Sequence, residues 1–208
     1  MHAFTFSLPT QIVFGPGTET ETGKLIAGQG GHRVLVVYGG QSAVRSGLIA
    51  KVQASLTQAG LEQDTFGGIH PNPRLFQVRE GVEKAKAMNA DFILAVGGGS
   101  VIDASKAIAL GVANSEADLW DFWLRKQPVE HMLPVGAVLT ISAAGSETSD
   151  SAVLTRDDTM EKRGLSSQLF RPRFAVMDPE LTYTLPPYQI ACGVVDMMMH
   201  TLDRYFTP

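Results

Sequence analysis

At 208 residues, 44% hydrophobic and 18% charged, the chain has an ordinary soluble composition, enough for one large domain or one domain plus part of another. A net charge of −4 leaves no basic footprint for nucleic acid or an anionic membrane. Cys192 is the single cysteine, no basic-then-apolar leader opens the chain and no apolar run is long enough to span a bilayer, so a cytoplasmic protein without internal disulfides is expected.

Taken in order, residues 4–6 and 11–14 are short strand-like pieces split by Pro9 and stopped by Gly15-Pro16-Gly17. They predict a hairpin or an edge addition, and such an edge could pair two copies into a homodimer. A polar helix is predicted over 18–27, followed by the apolar strand RVLVVY, which ends at Gly39-Gly40. Gln41-Ser42 leads to a helix over 48–59 that Gly60 stops. A short strand over 61–66 precedes Gly67-Gly68 and the segment His70-Pro71-Asn72-Pro73. Leu75, Val78, Val82 and Ala85 then set a helical period over 74–88, which delivers the chain into an apolar strand at 92–96.

That strand runs into Gly97, Gly98 and Gly99, and Ser100 opens a helical spacing of Val101, Ile102, Ala104, Ala107 and Ile108. Strand, tight turn and helix start together form the place where an α/β protein seats a phosphate. The glycines can take φ > 0 and let a ligand approach the backbone. Ser100 as N-cap with Asp103 three residues on resembles a capping box. The same residues also fit a βα turn that binds nothing. Strand–helix alternation repeats three times in the first 110 residues, which implies a Rossmann-like parallel sheet covered by helices on both faces. Ligands of such sheets bind beyond the carboxyl ends of the strands. Two glycine-rich turns on one rim, Gly39-Gly40 and the triple glycine, fit a dinucleotide better than a lone phosphate.

Beyond this point a short aromatic helix is predicted over 118–123 and a buried strand over 134–139. The stretch TISAAGSETS (140–149) is rich in small hydroxyl residues, which either donate to a ligand or form an ordinary turn. Residues 152–155 and 174–177 predict an additional antiparallel segment. A boundary falls near Thr184, where Thr184-Leu185-Pro186-Pro187 starts a helix that runs to about 206. On this helix Asp196, His200 and Asp203 share one face at i, i+4 and i+7. A carboxylate and an imidazole one turn apart can converge on a divalent cation, yet two ligands do not close a site. On spacing alone the pair reads rather as a surface Asp–His contact, with Met197, Met198 and Met199 packing into the core. Cys192, one turn before Asp196, reads as a packing residue.

Several motifs now stand in one order: PTQIVFGPGT near the start, HPNP, GGGSVIDASKAIAL, TISAAGSETSDSAVLT, DPELTYTLPP and ACGVVDMMMHTLDRYF. In this order the chain resembles the iron-containing (group III) alcohol dehydrogenases, which are similar in fold to glycerol dehydrogenase and dehydroquinate synthase. The resemblance implies a nucleotide-binding α/β domain over 1–183, with 184–208 as the first helix of an all-helical metal-binding domain. It implies that Gly97, Gly98, Gly99, Ser100 and Asp103 serve the pyrophosphate end. Gly39, Gly40, Gln41, Ser42 and Asn72 would serve the rest of the nucleotide. Thr140, Ser142, Ser149, Val153 and Lys162 would line the ribose and nicotinamide. Asp196 and His200 match two metal ligands, for Fe2+ or Zn2+. In the family two further histidines come from the helical domain, whereas this chain's His2, His32, His70 and His131 all lie upstream. The sequence is therefore read as the amino-terminal part of an enzyme, with little turnover of its own. Ala144 stands where the family usually has threonine, and Asp203 where it often has glutamate.

The turn Tyr38-Gly39-Gly40-Gln41-Ser42 carries no acid to accept from a ribose 2′-hydroxyl, and Arg45 follows closely. This is similar to the butanol dehydrogenase and aldehyde reductase branch that prefers NADP(H) over NAD(H). The expected reaction is hydride transfer between NADP(H) and a small primary alcohol or aldehyde. A glycerol or polyol dehydrogenase, a synthase using NAD transiently, and a non-catalytic nucleotide-binding module remain as alternatives.

Overall fold

Four largely apolar runs, at 33–38, 92–97, 135–139 and 174–177, form the centre of one six-stranded sheet. The computed structural model describes residue 5 and residues 7–207. Six strands lie in the order β1 (Gln11–Phe14), β8 (Phe174–Met177), β5 (Val135–Leu139), β4 (Phe92–Gly97), β2 (Arg33–Tyr38) and β3 (Glu62–Phe66). Every neighbouring pair is parallel. Because helices cover both faces, the central strands are apolar on both sides, and all six residues of β4 are buried.

Alternation along β4 divides the core. Ile93 and Ala95 face one layer with α4 (Leu75–Ala87), α5 (Gly99–Ala113) and α6 (Leu119–Trp123). Phe92, Leu94 and Val96 face the other, with α1 (Thr22–Gly28), α2 (Ser42–Arg45) and α3 (Leu48–Gln58). Gly60, with φ +73°, ends α3 as its position predicts.

Two expectations about the strands are corrected. Residues 174–177 are not part of an antiparallel segment: Phe174, Ala175 and Val176 are fully buried, and β8 lies inside the parallel sheet between β1 and β5. The antiparallel element is instead a separate hairpin, β6 (Ser151–Thr155) with β7 (Lys162–Ser166). Sequence periodicity missed β7 because KRGLS lies on the surface, with Leu165 alone buried. Nor does β1 form a hairpin; it pairs in parallel with β8, while the predicted strand at 4–6 lies mostly outside the described residues.

A Cβ at Gly136 would lie 2.4 Å from Phe174 Cζ. Phe174 in turn stacks on Phe92, with ring centroids 6.0 Å apart. Gly136→Val is therefore expected to cost on the order of 2–3 kcal/mol through forced repacking, read as a lowered urea midpoint with an unchanged slope.

The helix predicted near the carboxyl end is present as α7 (Pro187–Phe206), with proline in its first turn. None of its residues is buried. Met197, Met198 and Met199 are 57–59% exposed, so the expectation that they pack into the core is corrected, and Cys192 is exposed as well. A 20-residue helix with this many bare apolar side chains makes too few contacts here to owe its amphipathic pattern to the sheet domain.

Candidate functional site

The chain runs from β2 outward to β3, then returns to β4 on the other side of β2. This reversal opens a crevice beyond the carboxyl ends of β2 and β4. A cleft of about 630 Å³ lies there, lined by Gly39, Gly40 and Ser42 after β2, by Gly97 at the end of β4 with Gly98, Gly99 and Ser100 after it, and by Thr140 and Ile141 after β5. Both glycine turns therefore share one rim, as their places in the sequence predict. Gln41 is the residue before α2 and does not line the cleft.

The glycines of the triple run act differently from the expectation. None of the three has a positive φ; Gly98 is extended at φ −90°, ψ −170°. They are needed for close approach instead. A Cβ would lie 2.6 Å from Val101 Cγ2 at Gly97, 2.5 Å from Ile141 Cγ2 at Gly98, and 2.9 Å from Ala144 Cβ at Gly99. The β5 turn and the glycine turn thus touch, backbone to side chain, with no room for a methyl group.

Helix α5 begins at Gly99, one residue earlier than the capping reading placed it, with Gly98 as N-cap. Its first internal bonds are donated by the amides of Val101 and Ile102 to Gly98 O. The amides of Gly99 and Ser100 precede that ladder, and both residues line the cleft; a helix start placed so favours an anion through its first donors and the helix dipole.

Ser100 serves the rim and not the cap: its Oγ accepts from the Asn72 amide at 3.2 Å. Asn72 sits in the left-handed region at φ 55°, and its Oδ1 accepts from Lys162 Nζ at 2.7 Å. Ser100, Asn72 and Lys162, 28 and 90 residues apart along the chain, thereby form one strap beside the cradle. The hairpin that carries Lys162 is held there by the Phe76 amide donating to Asp157 Oδ2 at 3.0 Å and the Thr155 amide donating to Pro73 O at 2.9 Å.

Asp103 does not complete a capping box with Ser100. Its carboxylate accepts from the Ser146 hydroxyl and from the Val153 amide, the latter at 3.0 Å. Burial raises its pKa, opposed by those two hydrogen bonds and by the nearby Lys106 charge. Val153 thus meets Asp103 through its backbone, while the Ser149 Oγ accepts from the Ser151 amide at 2.9 Å.

Lys106, which the sequence reading did not single out, is fully buried. Its ammonium donates to Ser146 O (2.8 Å), Ser146 Oγ (3.1 Å), Ser149 O (3.0 Å) and Ser151 O (2.8 Å). Burial lowers this amine to about 8, partly offset by Asp103, Glu147 and Asp150. The signal available in the sequence was a lone lysine inside the otherwise apolar or small run Ala104–Leu110, three residues after an aspartate.

On α7, Asp196 Oδ2 and His200 Nε2 are 3.5 Å apart and both more than half exposed. Asp196 lines a second cleft, of about 430 Å³, with Ile141, Ser142, Ala143 and Leu185 among its walls. Ile141 belongs to both clefts, so the cradle and the Asp196 face adjoin across one side chain. The Asp–His donor set suits a divalent cation, but among the described residues no group of three metal-ligating side chains comes together. Asp203 lies on the same helix and joins no such group.

Among the described residues no helix is long and apolar enough to cross a membrane. Residues 9–179 match the family described as iron-containing alcohol dehydrogenase. Among curated proteins, a probable NADH-dependent butanol dehydrogenase 1 of Bacillus subtilis is 44% identical over 206 residues, covering 99% of this chain and 53% of that protein. The NADPH-dependent aldehyde reductase YqhD of Escherichia coli is 39% identical over 209 residues, covering 100% and 53%. Among solved structures, the NADH-dependent butanol dehydrogenase A of Thermotoga maritima superposes with a TM-score of 0.92 at 43% identity, covering 99% of this chain and 52% of that one. The chain spans about half the length of the relatives it matches.

Proposed function

From the premise that this chain belongs to the iron-containing alcohol dehydrogenase family, we propose that it carries the nucleotide-binding half of a metal-dependent alcohol dehydrogenase or aldehyde reductase. Its reaction would be hydride transfer between NADP(H) and a small primary alcohol or aldehyde. The observation that carries this reading is the cradle at the sheet's switch point, where two glycine turns and the first residues of α5 line one cleft.

In this reading residues 1–183 form the nucleotide domain, and 184–208 begin a helical unit whose remaining metal ligands come from outside these 208 residues. The bare apolar face of α7 supports that division. Asp196 and His200 would hold one side of Fe2+ or Zn2+. When bound, the cation supplies Lewis acidity towards an alcohol or carbonyl oxygen, and the nicotinamide supplies or accepts hydride. The chain's own residues do the positioning. The amides of Gly99 and Ser100 hold the diphosphate, the Asn72–Lys162 strap closes the flank, and Thr140 and Ser142 line the path towards Asp196. Ile141 lines both clefts and marks their junction. A homodimer through the sheet edge belongs to the same reading, since Ile12 and Phe14 on β1 are exposed, as does a cytoplasmic location.

Preference for NADP(H) rests on the residues that line the cleft, none of which is a carboxylate. A carboxylate would repel a 2′-phosphate, whereas Ser42 and the glycine amides donate to one. Titration followed by nicotinamide fluorescence is expected to give a lower Kd for NADPH than for NADH; equal or tighter NADH binding refutes the preference. The second reading, nucleotide binding without turnover, is favoured for these 208 residues by one observation: two candidate metal ligands come together, and no third among the described residues.

A further inference from the structure

The loop from 140 to 149 leaves β5 beside the cradle: Thr140 and Ile141 line its cleft, and Ser142 and Ala143 line the one that reaches Asp196. Its own turn bonds, from the Thr148 and Ser149 amides to Gly145 O, fix its tip locally but do not tie it to the rest of the fold. It has no ladder partner over 146–150. Three of its neighbouring carbonyls, at Ser146, Ser149 and Ser151, turn inward and accept from a single buried ammonium, that of Lys106. The fourth contact completes a relay: Ser146 Oγ accepts from Lys106 and donates to Asp103, whose other oxygen accepts from the Val153 amide. From the solvent side Arg171 holds the same loop by donating to Thr148 O.

Lys106 and Asp103 both belong to α5, the helix whose first turn is the phosphate cradle. The far end of the loop is set against that turn by the Ala144–Gly99 and Ile141–Gly98 contacts. One rigid helix therefore fixes the cradle at its start and the loop wall two turns on. Unpaired carbonyls buried in a low-dielectric interior are costly, so without the ammonium the loop would have to turn outward to water.

We propose that Lys106 is a positioning residue for the nicotinamide half of a bound dinucleotide: by drawing the Ser146, Ser149 and Ser151 carbonyls onto α5, it sets the distance between the 140–149 wall and the cradle. Lys106 lines neither cleft. This rests on the nucleotide reading above, and the adenosine-diphosphate half of the ligand, held by the cradle and the Gly39-Gly40 turn, should not sense the loop.

The test compares each dinucleotide with its fragment lacking nicotinamide: NADPH with 2′-phospho-ADP-ribose, and NADH with ADP-ribose, by calorimetry on the unaltered chain and on Lys106→Met. The variant is expected to lose roughly tenfold or more in dinucleotide affinity, the scale of one lost charge-assisted hydrogen bond, while the fragment's affinity stays within about twofold. Ser146→Ala, which removes the relay but keeps the lysine, should shift the same ratio in the same direction by less. Equal losses for dinucleotide and fragment, or no loss for either, overturn the proposal. If circular dichroism shows that Lys106→Met does not fold, the ratio in Ser146→Ala decides by the same criterion. Failure of the unaltered chain to bind any of the four ligands overturns the nucleotide reading itself, and this proposal with it.

Discussion

Gly98→Val is expected to weaken binding of NADPH and NADH by about 100-fold, the equivalent of one or two lost charge-assisted hydrogen bonds to a diphosphate. The backbone at Gly98 is extended and would tolerate valine, so the effect comes from volume alone. A Cβ there already lies 2.5 Å from Ile141 Cγ2, and the branched side chain must push the β5 turn away or fill the space in front of the α5 amides. Either outcome removes the fit between anion and backbone donors. Overpacking should also lower stability by roughly 1–3 kcal/mol. Gly40→Ala is the stability control, because a Cβ at that position meets nothing within 4 Å. If Gly98→Val binds either dinucleotide as tightly as the parent chain, the cradle is not the diphosphate site.

The second large effect concerns the metal. Asp196 and His200 stand one turn apart on a solvent-exposed helix face, 3.5 Å from each other. Two donors leave half of a tetrahedral shell to water. The 208-residue chain is therefore expected to bind Zn2+ or Fe2+ weakly and to oxidise NADPH with butanal at no measurable steady rate. Asp196→Ala or His200→Ala should reduce what metal affinity there is by at least the roughly 10–100-fold that follows loss of even a supporting residue. Calorimetric titration with Zn2+ and an absorbance assay of NADPH with butanal check both statements. Sustained turnover by this chain alone would show that the ligand set is complete without further protein.

Much of the scaffold was legible because its signals are local. The change from apolar strands to helical spacing at 33–60 and 92–108 marks βα units wherever the chain ends up in space. The Asp196–His200 pair was legible for the same reason, since i, i+4 neighbours on a helix meet without help from the rest of the fold. Its surroundings were not. Met197, Met198 and Met199 suit a core by residue type, yet no part of the described fold covers them.

Other features depended on partners far along the chain. FAVM at 174–177 fits an edge hairpin or a central parallel strand equally well until the burial of both its faces is known. The triple glycine does lie at a strand-to-helix turn, but not for the reason its residue type suggested: none of the three has a positive φ, and the constraint comes from Val101, Ile141 and Ala144. Lys106 gave almost no warning, because a lysine in a helix is usually solvated, and its acceptors lie 40 to 45 residues downstream.

By itself, then, the amino-acid order determined the alternation of strand and helix, the glycine turns at two strand ends and the carboxylate–imidazole spacing, all properties of backbone period and residue size over a few turns. Tertiary structure alone decided which strands adjoin, that Ile141 separates two clefts, that Asp103 faces Ser146 and not Ser100, and that Lys106 lies buried under the loop wall. Those outcomes follow from burying apolar faces and pairing polar groups between segments distant in the chain, a competition settled only when the whole sheet is assembled.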